Sequence, residues 1–371
     1  MVRRLELNLV SILKRYQRDT PPPRQTNTNT QPKVAVIVPV YNVASYLREC
    51  LDSILTQTYT SFTVFAVDDG STDESGAILD EYAVKDLRLI VIHQKNGGIS
   101  AARNAALDRI ERDGTFQYVA FVDSDDKVLP DFLAHLIQNA FRTQADITVC
   151  GFFKFNDEGR TKTEGVIQCA KTFDRDEFVE LVFSKLRWKN ACGAGGMVWK
   201  KLLKCSAITG IRFPSDRETL EDELFCLQVA LRAKIFSYLP ETLYAYRQRL
   251  DSTIRSEKFA WQMFKGRALC VDVAERVSDH SALVAASAFA DATVDLCKDA
   301  QSLPVVDLKP YKALVSEAAK IGIVHPRTFK RYVLFCDHPS RARFFRFKRK
   351  VSKAIRFWRK ESKVESVKLR N

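Results

Sequence analysis

Short runs of apolar, largely β-branched residues recur along the first 150 positions of the chain, with polar turns between them. Because the residues in these runs do not alternate with polar ones, the runs are typical of strands covered on both faces of a sheet. The pattern predicts strands at residues 34–38, 62–67, 87–92, 118–122 and 145–150.

Helical patterns lie between the predicted strands. Apolar residues at i, i+3, i+4, i+7 and i+8 from Leu47 predict a helix that starts near Ala44. The spacing of Ala102, Ala106 and Ile110 predicts a second helix, with Ser100 as its N-cap. This alternation predicts an α/β fold, in which a mostly parallel sheet with right-handed crossovers is flanked by helices.

A polar cluster follows four of the predicted strands. Parallel sheets bind ligands at the carboxyl ends of their strands, and these ends meet at one edge of the sheet. The sequence therefore predicts one site built from PVYN at residues 39–42, DDGS at 68–71, NGG at 96–98 and DSDD at 123–126.

The last of these clusters places three carboxylates within four residues, directly after a predicted buried strand. Like charges at this spacing repel each other, so one interpretation is a solvated loop in which Asp126 starts the next helix. The other is a site for a divalent cation, because hard cations prefer oxygen ligands. The remaining motifs have to distinguish the solvated loop from the cation site.

Composition excludes several classes of protein. With 371 residues, 46% of them apolar, the chain can bury one or two sizeable cores. No apolar run approaches the roughly 18 residues of a membrane span, and the N-terminus lacks the pattern of a signal peptide. Nine scattered cysteines, odd in number and without a Cys-x-x-Cys pair, favour free thiols in a reducing compartment over a zinc site. We therefore expect a cytoplasmic protein.

The net charge of +13 is concentrated at the C-terminus. Residues 341–371 contain thirteen basic residues and two acidic ones, whereas the body of the chain is close to neutral. In this tail, apolar residues repeat at intervals of three and four, as in interfacial helices: Phe344, Phe347, Val351, Ile355 and Trp358. We expect the tail to bind an anionic membrane surface or to pack on the body through the same stripe. We do not expect a nucleic acid to bind the fold.

Taken in order, the segments VAVIVPVYNVASYLRECLDSILTQTY, VDDGSTDES, NGGISAARNAAL and FVDSDD resemble the family 2 glycosyltransferases, inverting enzymes of the GT-A (Rossmann-like) fold. The resemblance runs from Lys33 to Thr253, and each motif in it falls at the end of a predicted strand. It implies a nucleotide-sugar donor, with UDP-sugar as the expected one, and a glycan or lipid-linked acceptor.

Composition, charge and the extent of the resemblance together predict the domain organisation. Residues 1–32 are predicted to be a basic segment and linker, and residues 33–253 the GT-A domain. The latter divides into a nucleotide-sugar half (33–150) and an acceptor-side half (151–253). Residues 254–340 are expected to form a helical C-terminal region, and residues 341–371 the basic amphipathic tail.

Seven residues of the motifs take donor-binding roles by resemblance, and the chemistry of several of them gives a physical reason. An aromatic face at Tyr41 can stack on a nucleobase, and the Asp69 carboxylate can accept the imide N–H of uracil. The guanidinium of Arg103 can reach phosphate oxygens. The alternatives are ordinary packing for Tyr41, a turn role for Asp69 and a structural pair with an aspartate for Arg103. Pro39, Asn96, Gly98 and Asp123 complete the implied donor set.

The same resemblance assigns the metal and the catalytic base. Asp125 is the expected ligand of Mn²⁺ or Mg²⁺, and Asp123 is expected to bind the metal or the ribose, since Asp-x-Asp places two side chains on one side of an extended backbone. Asp126 is expected to cap the next turn. Asp222 matches the residue that deprotonates the acceptor, and the alternative is that it belongs only to an acidic first helical turn. Arg247 and Arg249 are weaker candidates for the border of the acceptor and diphosphate.

We therefore expect metal-dependent transfer of a single sugar, with inversion, in bacterial surface polysaccharide biosynthesis, at the inner face of the cytoplasmic membrane. The absence of multiple spans and of a QxxRW-type motif argues against a processive synthase. One alternative is an inactive sugar-nucleotide-binding protein. A less favoured one is a nucleotidyltransferase, whose expected glycine- and basic-rich first loop is missing from PVYNVASYL.

Overall fold

The computed structural model describes residues 31–156, 159–164, 171–183, 196–214, 220–249, 257–299 and 309–337. The chain forms two compact units that interleave along the sequence. The first comprises residues 1–175, 190–217 and 228–248, and the second comprises 176–189, 218–227 and 249–371. Residues 1–30 and the basic tail lie outside the described residues, and the predicted domain boundaries stay predictions.

The first unit is built on a sheet of ten strands, counted over the part of the chain that the structure describes. Its first four strands along the sequence lie in the order β3-β2-β1-β4, and each adjacent pair is parallel. All seven residues of β1 are buried, as expected for a central strand covered on both faces. The bounds are β1 Val34–Val40, β2 Phe62–Asp68, β3 Leu89–His93 and β4 Tyr118–Phe121.

The sheet continues as β4-β9-β6-β10-β5, with β7 paired to β6 and β8 to β10. Strand β9 is antiparallel to both of its neighbours, whereas β6 and β10 are parallel to each other. The bounds are β5 Lys127–Val128, β6 Ile147–Asn156, β7 Gly159–Glu164, β8 Lys171–Phe173, β9 Lys201–Lys204 and β10 Phe236–Arg247. The predicted α/β fold is confirmed.

Helices connect these strands. They are α1 Ala44–Leu55, α2 Ser75–Lys85, α3 Ile99–Asp113, α4 Phe132–Thr143 and the short α6 Cys205–Ile208. Helix α1 begins at the predicted residue and buries Leu47, Leu51 and Ile54. The prediction of Ser100 as the N-cap of α3 is wrong: the helix begins one residue earlier, at Ile99, and Gly98 is its N-cap.

The second unit is helical, which confirms the predicted helical C-terminal region. The helices that lie wholly or mostly in this unit are α5 Arg175–Phe183, α7 Glu221–Ala230, α8 Glu257–Ala274, α9 Asp279–Asp299, α10 Lys309–Lys320 and α11 Pro326–Asp337. Aromatic contacts join three of them, because the ring of Phe289 packs on Tyr311 and Tyr332. Among the described residues, none of the helices combines the length and apolarity needed to cross a bilayer.

Candidate active site

Asp69, directly after β2, is clasped by the loop that follows β3. The Asp69 side chain is buried, and its two carboxylate oxygens accept hydrogen bonds from the side-chain amide of Gln94 at 2.7 Å and from the backbone N–H groups of Gly97 at 2.8 Å and Gly98 at 2.7 Å. The side-chain amide of Asn96 donates to the backbone carbonyl of Asp69 at 3.0 Å. A carboxylate offers about four acceptor positions, so these three bonds leave room for a further donor such as an imide N–H.

Two glycines allow the loops to approach this closely. Gly70 has a φ of +73°, and a Cβ there would lie 2.8 Å from the backbone nitrogen of Asn96. Gly98 has a φ of +91°, which L-residues rarely adopt, and its N–H points at Asp69. The NGG motif therefore supplies backbone donors to Asp69, a role that the sequence alone did not assign.

The loop after β1 presents an aromatic ring. Tyr41 is 48% exposed, so its ring surface is open to a ligand. Pro39 is buried near the end of β1, where it pairs with Val67 of β2 and lies beyond Ile37, the last β1 residue that pairs with β4. Both residues lie at the predicted edge of the sheet, and their donor-binding roles stay predictions.

Residues 71–73, to which the sequence analysis assigned no individual role, tie the first two loops together. The Asn42 N–H donates to Ser71 Oγ at 3.2 Å, and the Thr72 N–H donates to Asn42 Oδ1 at 2.7 Å. The Asp73 carboxylate accepts from the N–H groups of Ala44 at 3.0 Å and Ser75 at 2.9 Å, the first residues of α1 and α2. Ser, Thr and Asp residues that precede a helix are capping signals. That signal could have identified the bond from Asp73 to Ser75, which is local in sequence, but not the bond from Asp73 to Ala44.

Arg103 is almost completely buried and forms an ion pair with Asp123. Its Nη2 lies 3.2 Å from Asp123 Oδ1, and its guanidinium carbon lies 5.1 Å from the centre of the Phe213 ring. This is the structural pair that the sequence left open as an alternative. The pair places a fixed positive charge beside the DSDD turn, and contact with phosphate stays a prediction.

The DSDD segment is a turn and not the extended backbone that the sequence predicted. The Asp126 N–H donates to the Asp123 carbonyl at 3.0 Å and closes the turn. Burial nevertheless alternates along it: Ser124 and Asp126 are buried, whereas Asp123 and Asp125 are partly exposed. The two predicted metal ligands are therefore the accessible members of the cluster.

The expectation that Asp126 caps the next turn is wrong. Its carboxylate, 1% exposed, accepts the hydroxyl of Tyr244 at 2.7 Å and the backbone N–H of Arg247 at 2.7 Å, both from β10. Burial raises the pKa of Asp126 well above its ordinary range, and the charges of Asp123 and Asp125 raise it further.

These residues fit a hard divalent cation. The described residues contain no group of three or more His, Cys, Asp or Glu side chains arranged to hold a metal. Mg²⁺ is commonly bound by one or two carboxylates, with substrate phosphates and water completing its shell. Asp123 and Asp125, the partly exposed carboxylates of the turn, supply that oxygen set, and a bound cation would offset their like charges. Their assignment as ligands stays a prediction.

Asp222 belongs to the second unit, in the first turn of α7. It is 8% exposed, and its neighbour Glu223 forms an ion pair of 2.7 Å with the buried Arg267 of α8. A Cβ on Gly266 would lie 2.8 Å from the backbone nitrogen of Leu220, so the two helices are closely packed there. Glu223 thus has a structural partner, while the catalytic role of Asp222 stays a prediction.

Arg247, at the end of β10, contacts both the DSDD turn and α1. Its Nε donates to the backbone carbonyl of Asp125 at 2.8 Å, and its Nη2 pairs with Glu49. Its guanidinium also lies over the rings of Phe155 and Tyr46, at 4.4 and 4.9 Å. These contacts support the turn from within the first unit and do not test the suggested border role.

Comparison with known proteins decides the family. The model of "Glycosyl transferase family 2" matches residues 35–205. The chain is 30% identical over 228 residues to the glycosyltransferase GlyG of Streptococcus pneumoniae, which covers 60% of this chain and 73% of GlyG. The chain belongs to glycosyl transferase family 2. The family predicted from the four motifs is therefore confirmed.

Other family 2 relatives are longer proteins. The chain is 37% identical over 249 residues to S. pneumoniae glycosyltransferase GlyA, covering 66% of this chain and 34% of GlyA. It is 32% identical over 223 residues to the poly(ribitol-phosphate) beta-glucosyltransferase of Bacillus spizizenii, covering 59% of this chain and 33% of the relative. The chain thus spans about a third of the length of these two proteins.

A solved structure supports the fold of this family 2 chain. The structure of S. aureus TarS 1–349 in complex with UDP-GlcNAc aligns with a TM-score of 0.56 and 21% identity, over 81% of this chain and 90% of that one. At 21% identity, this similarity supports the fold of the chain, the GT-A fold, and not the roles of individual residues.

Proposed function

We propose that this family 2 member transfers a single sugar, with inversion, from a UDP-sugar to a glycan or lipid-linked acceptor in surface polysaccharide biosynthesis. The observation that carries the proposal is the hydrogen-bonded assembly of the four strand-end motifs. Asp69 accepts the N–H of Gly98, and Arg103 pairs with Asp123, so loops distant in sequence form one polar surface at the sheet edge. Such an edge is where open α/β sheets bind ligands.

The donor end of this surface suits a uridine nucleotide. The exposed ring of Tyr41 offers a stacking face, and Asp69 retains acceptor capacity for an imide N–H. The structural relative TarS is described in complex with UDP-GlcNAc, which supports the same class of donor here. The buried guanidinium of Arg103 supplies positive charge for the diphosphate.

In the proposed reaction, the acceptor oxygen bonds to the anomeric carbon while the bond from that carbon to the diphosphate breaks. The electron pair of this bond leaves with the nucleoside diphosphate, and the proton of the acceptor hydroxyl passes to the Asp222 carboxylate. A divalent cation held by Asp123 and Asp125 would neutralise charge on the departing diphosphate. Arg103 holds the Asp123 carboxylate in place.

The proposed acceptor class rests on relatives and on the tail. The B. spizizenii relative is named for poly(ribitol phosphate), a polymer whose backbone is anionic. The tail at residues 341–371, with its basic residues and apolar stripe, would hold the enzyme at the inner face of the cytoplasmic membrane. A lipid-linked acceptor is presented there. Both points make a membrane-associated glycan the proposed acceptor.

A panel of nucleotide sugars tests the proposal. We expect the full chain to hydrolyse one UDP-sugar slowly, releasing UDP, with Mn²⁺ or Mg²⁺ and not with chelator. Asp125→Ala should lose both turnover and metal-dependent UDP binding while it melts like the wild type, since its partly exposed carboxylate contributes little to the core. Asp131→Ala, an exposed aspartate beyond the turn, serves as the matched control.

Three results would contradict this proposal. Release of pyrophosphate would indicate nucleotidyl transfer. Binding of UDP-sugar without any turnover, even with an acceptor extract, would indicate an inactive binding protein. Near wild-type turnover of Asp125→Ala in the presence of chelator would exclude the metal role and leave the cluster as a solvated loop.

A further inference from the structure

The backbone of the 123–126 turn is held from behind by strand β10. The hydroxyl of Tyr244 accepts the N–H of Asp123 at 3.1 Å and donates to Asp126 Oδ2 at 2.7 Å. Tyr244 is completely buried, and its ring stacks on Trp199 with centroids 4.7 Å apart. A single hydroxyl on a packed ring therefore joins the first and last residues of the turn.

The other oxygen of Asp126 extends this attachment along β10. Asp126 Oδ1 accepts the backbone N–H of Arg247, three residues after Tyr244. The side chain of Arg247 then returns to the turn, where its Nε donates to the carbonyl of Asp125. The guanidinium is itself fixed by Glu49 of α1. The turn is thus attached to the sheet at both ends and in its middle.

The bonds from β10 reach the backbone N–H of Asp123, the backbone carbonyl of Asp125 and the carboxylate of buried Asp126. They determine where the Cα atoms of Asp123 and Asp125 lie, and hence where their carboxylates can converge. When folding has already fixed the geometry of a binding site, less free energy is lost in ordering its side chains as the ligand binds.

We infer that Tyr244 and Asp126 are positioning residues, which fix the backbone of the turn so that the Asp123 and Asp125 carboxylates converge on a divalent cation. This inference rests on the proposed function, since it supposes that the two carboxylates hold the cation. Neither Tyr244 nor Asp126 binds the cation. Outer partners of this kind determine metal affinity because they orient the ligands.

The test compares two tyrosines on one strand. Tyr244→Phe removes only the hydroxyl that joins Asp123 to Asp126. Tyr246→Phe removes a hydroxyl two residues further along β10, from a ring that also stacks on Trp199, at 5.2 Å, and makes no hydrogen bond to the turn among the described residues. The affinity for Mn²⁺ is measured by titration of the full chain with saturating UDP, and UDP binding is measured separately with chelator.

We expect Tyr244→Phe to weaken Mn²⁺ binding by about tenfold, as is typical when a partner of a metal ligand is lost. UDP binding in chelator should stay unchanged, and Tyr246→Phe should bind Mn²⁺ like the wild type. Equal Mn²⁺ affinity in Tyr244→Phe and Tyr246→Phe would overturn the inference, even if Tyr244→Phe melts at a lower temperature.

A second variant keeps the test decisive if Tyr244→Phe does not fold. Asp126→Asn keeps the size of the side chain but replaces an acceptor with a donor opposite Tyr244 or Arg247, so it should also weaken Mn²⁺ binding selectively. Unchanged affinity would count against the inference. Failure of the proposed metal dependence is distinguishable, because then the wild type itself would bind no Mn²⁺, and both ideas would fall together.

Discussion

Two adjacent acidic residues at the start of α7 have different surroundings. Glu223 forms a buried ion pair with Arg267, whereas Asp222 is the proposed base. Glu223→Gln should therefore lower the free energy of unfolding by about 3 kcal/mol, since it leaves the Arg267 charge buried without its partner charge. Denaturant unfolding of Glu223→Gln and the wild type measures this loss of stability.

Asp222→Asn should have the opposite profile. It keeps the size of the side chain but removes its ability to accept a proton, so transfer should fall by roughly 10²-fold or more while UDP binding is retained. Steady-state transfer assays and a UDP titration check this. Normal transfer by Asp222→Asn, with a folded but inactive Glu223→Gln, would show that the wrong carboxylate was chosen.

His93, at the end of β3, should make stability depend on pH. Its ring nitrogens lie 3.0 Å from the carboxylates of Asp68 and Asp80, and these two acceptors raise the pKa of His93 above the ordinary 6.5. The folded state thus holds a proton that the unfolded state has lost above that pH. The stabilisation is complete below the unfolded pKa and disappears as the pH rises through the raised pKa.

Urea unfolding between about pH 5.5 and 8.5 tests this. The difference in free energy of unfolding between the wild type and His93→Gln should shrink as the pH rises. A difference that is constant over this range, or that grows with pH, would show that the proton on His93 does not stabilise the fold.

At the residue scale, the sequence could identify the candidate binding residues of the site but not the residues that hold them in position. Asp69, Arg103 and Asp125 stand in motifs directly after predicted strands, so their shared edge could be foreseen. The bond between Asp126 and Tyr244 spans 118 residues and depends on the pairing of β10 with β5 and β6. No local pattern encodes such a contact.

At the element scale, Asp73 caps two helices with one carboxylate. Its Oδ2 accepts from the first N–H of α1 and its Oδ1 from the first N–H of α2, and neither helix has a hydrogen bond from the side chain of its own N-cap. Asp73→Ala should lower the free energy of unfolding by about 1 to 2 kcal/mol, because a lost cap typically costs about 1 kcal/mol.

Glu74→Ala is the matched control for this cap. Glu74 carries the same charge one residue further on, but its side chain makes no capping bond to α2. Chemical denaturation should show a small change for Glu74→Ala and the larger one for Asp73→Ala. Equal losses would mean that the acidic charge near the helix ends matters, and not the hydrogen bonds.

Elements with a strong local pattern were predictable, and those set by distant partners were not. Helix α1 begins where its apolar stripe begins, at Ala44. Helix α3 begins at Ile99, before the predicted cap Ser100, because Gly98 turns toward Asp69 and starts the helix itself. Strand β9 runs antiparallel between β4 and β6, a placement that follows from pairing across the sheet and not from its four residues.

At the scale of the whole molecule, charge separates the tail from the body. The last 31 residues carry thirteen basic and two acidic residues, and each basic residue near an anionic surface contributes about 1 kcal/mol to binding. The full chain should therefore co-sediment with acidic liposomes far more than a version that ends at Ser340. Neutral liposomes and high salt should both abolish the difference.

Equal binding of the two versions would contradict the membrane role of the tail. It would favour the alternative in which the apolar stripe packs on the body. In that case the shortened version should also lose stability, which a thermal melt of both versions would detect.

The interlocking of the first two loops has a consequence for protein engineering. Asn42 bonds to Ser71 and Thr72, and Asp73 caps α1 as well as α2. The conformation of each loop therefore depends on hydrogen bonds to the other loop. A chimera that takes only one of these loops from a relative would carry half of each capping arrangement. Exchanges intended to change the preferred nucleotide should therefore transplant residues 41–44 and 71–75 as one cassette.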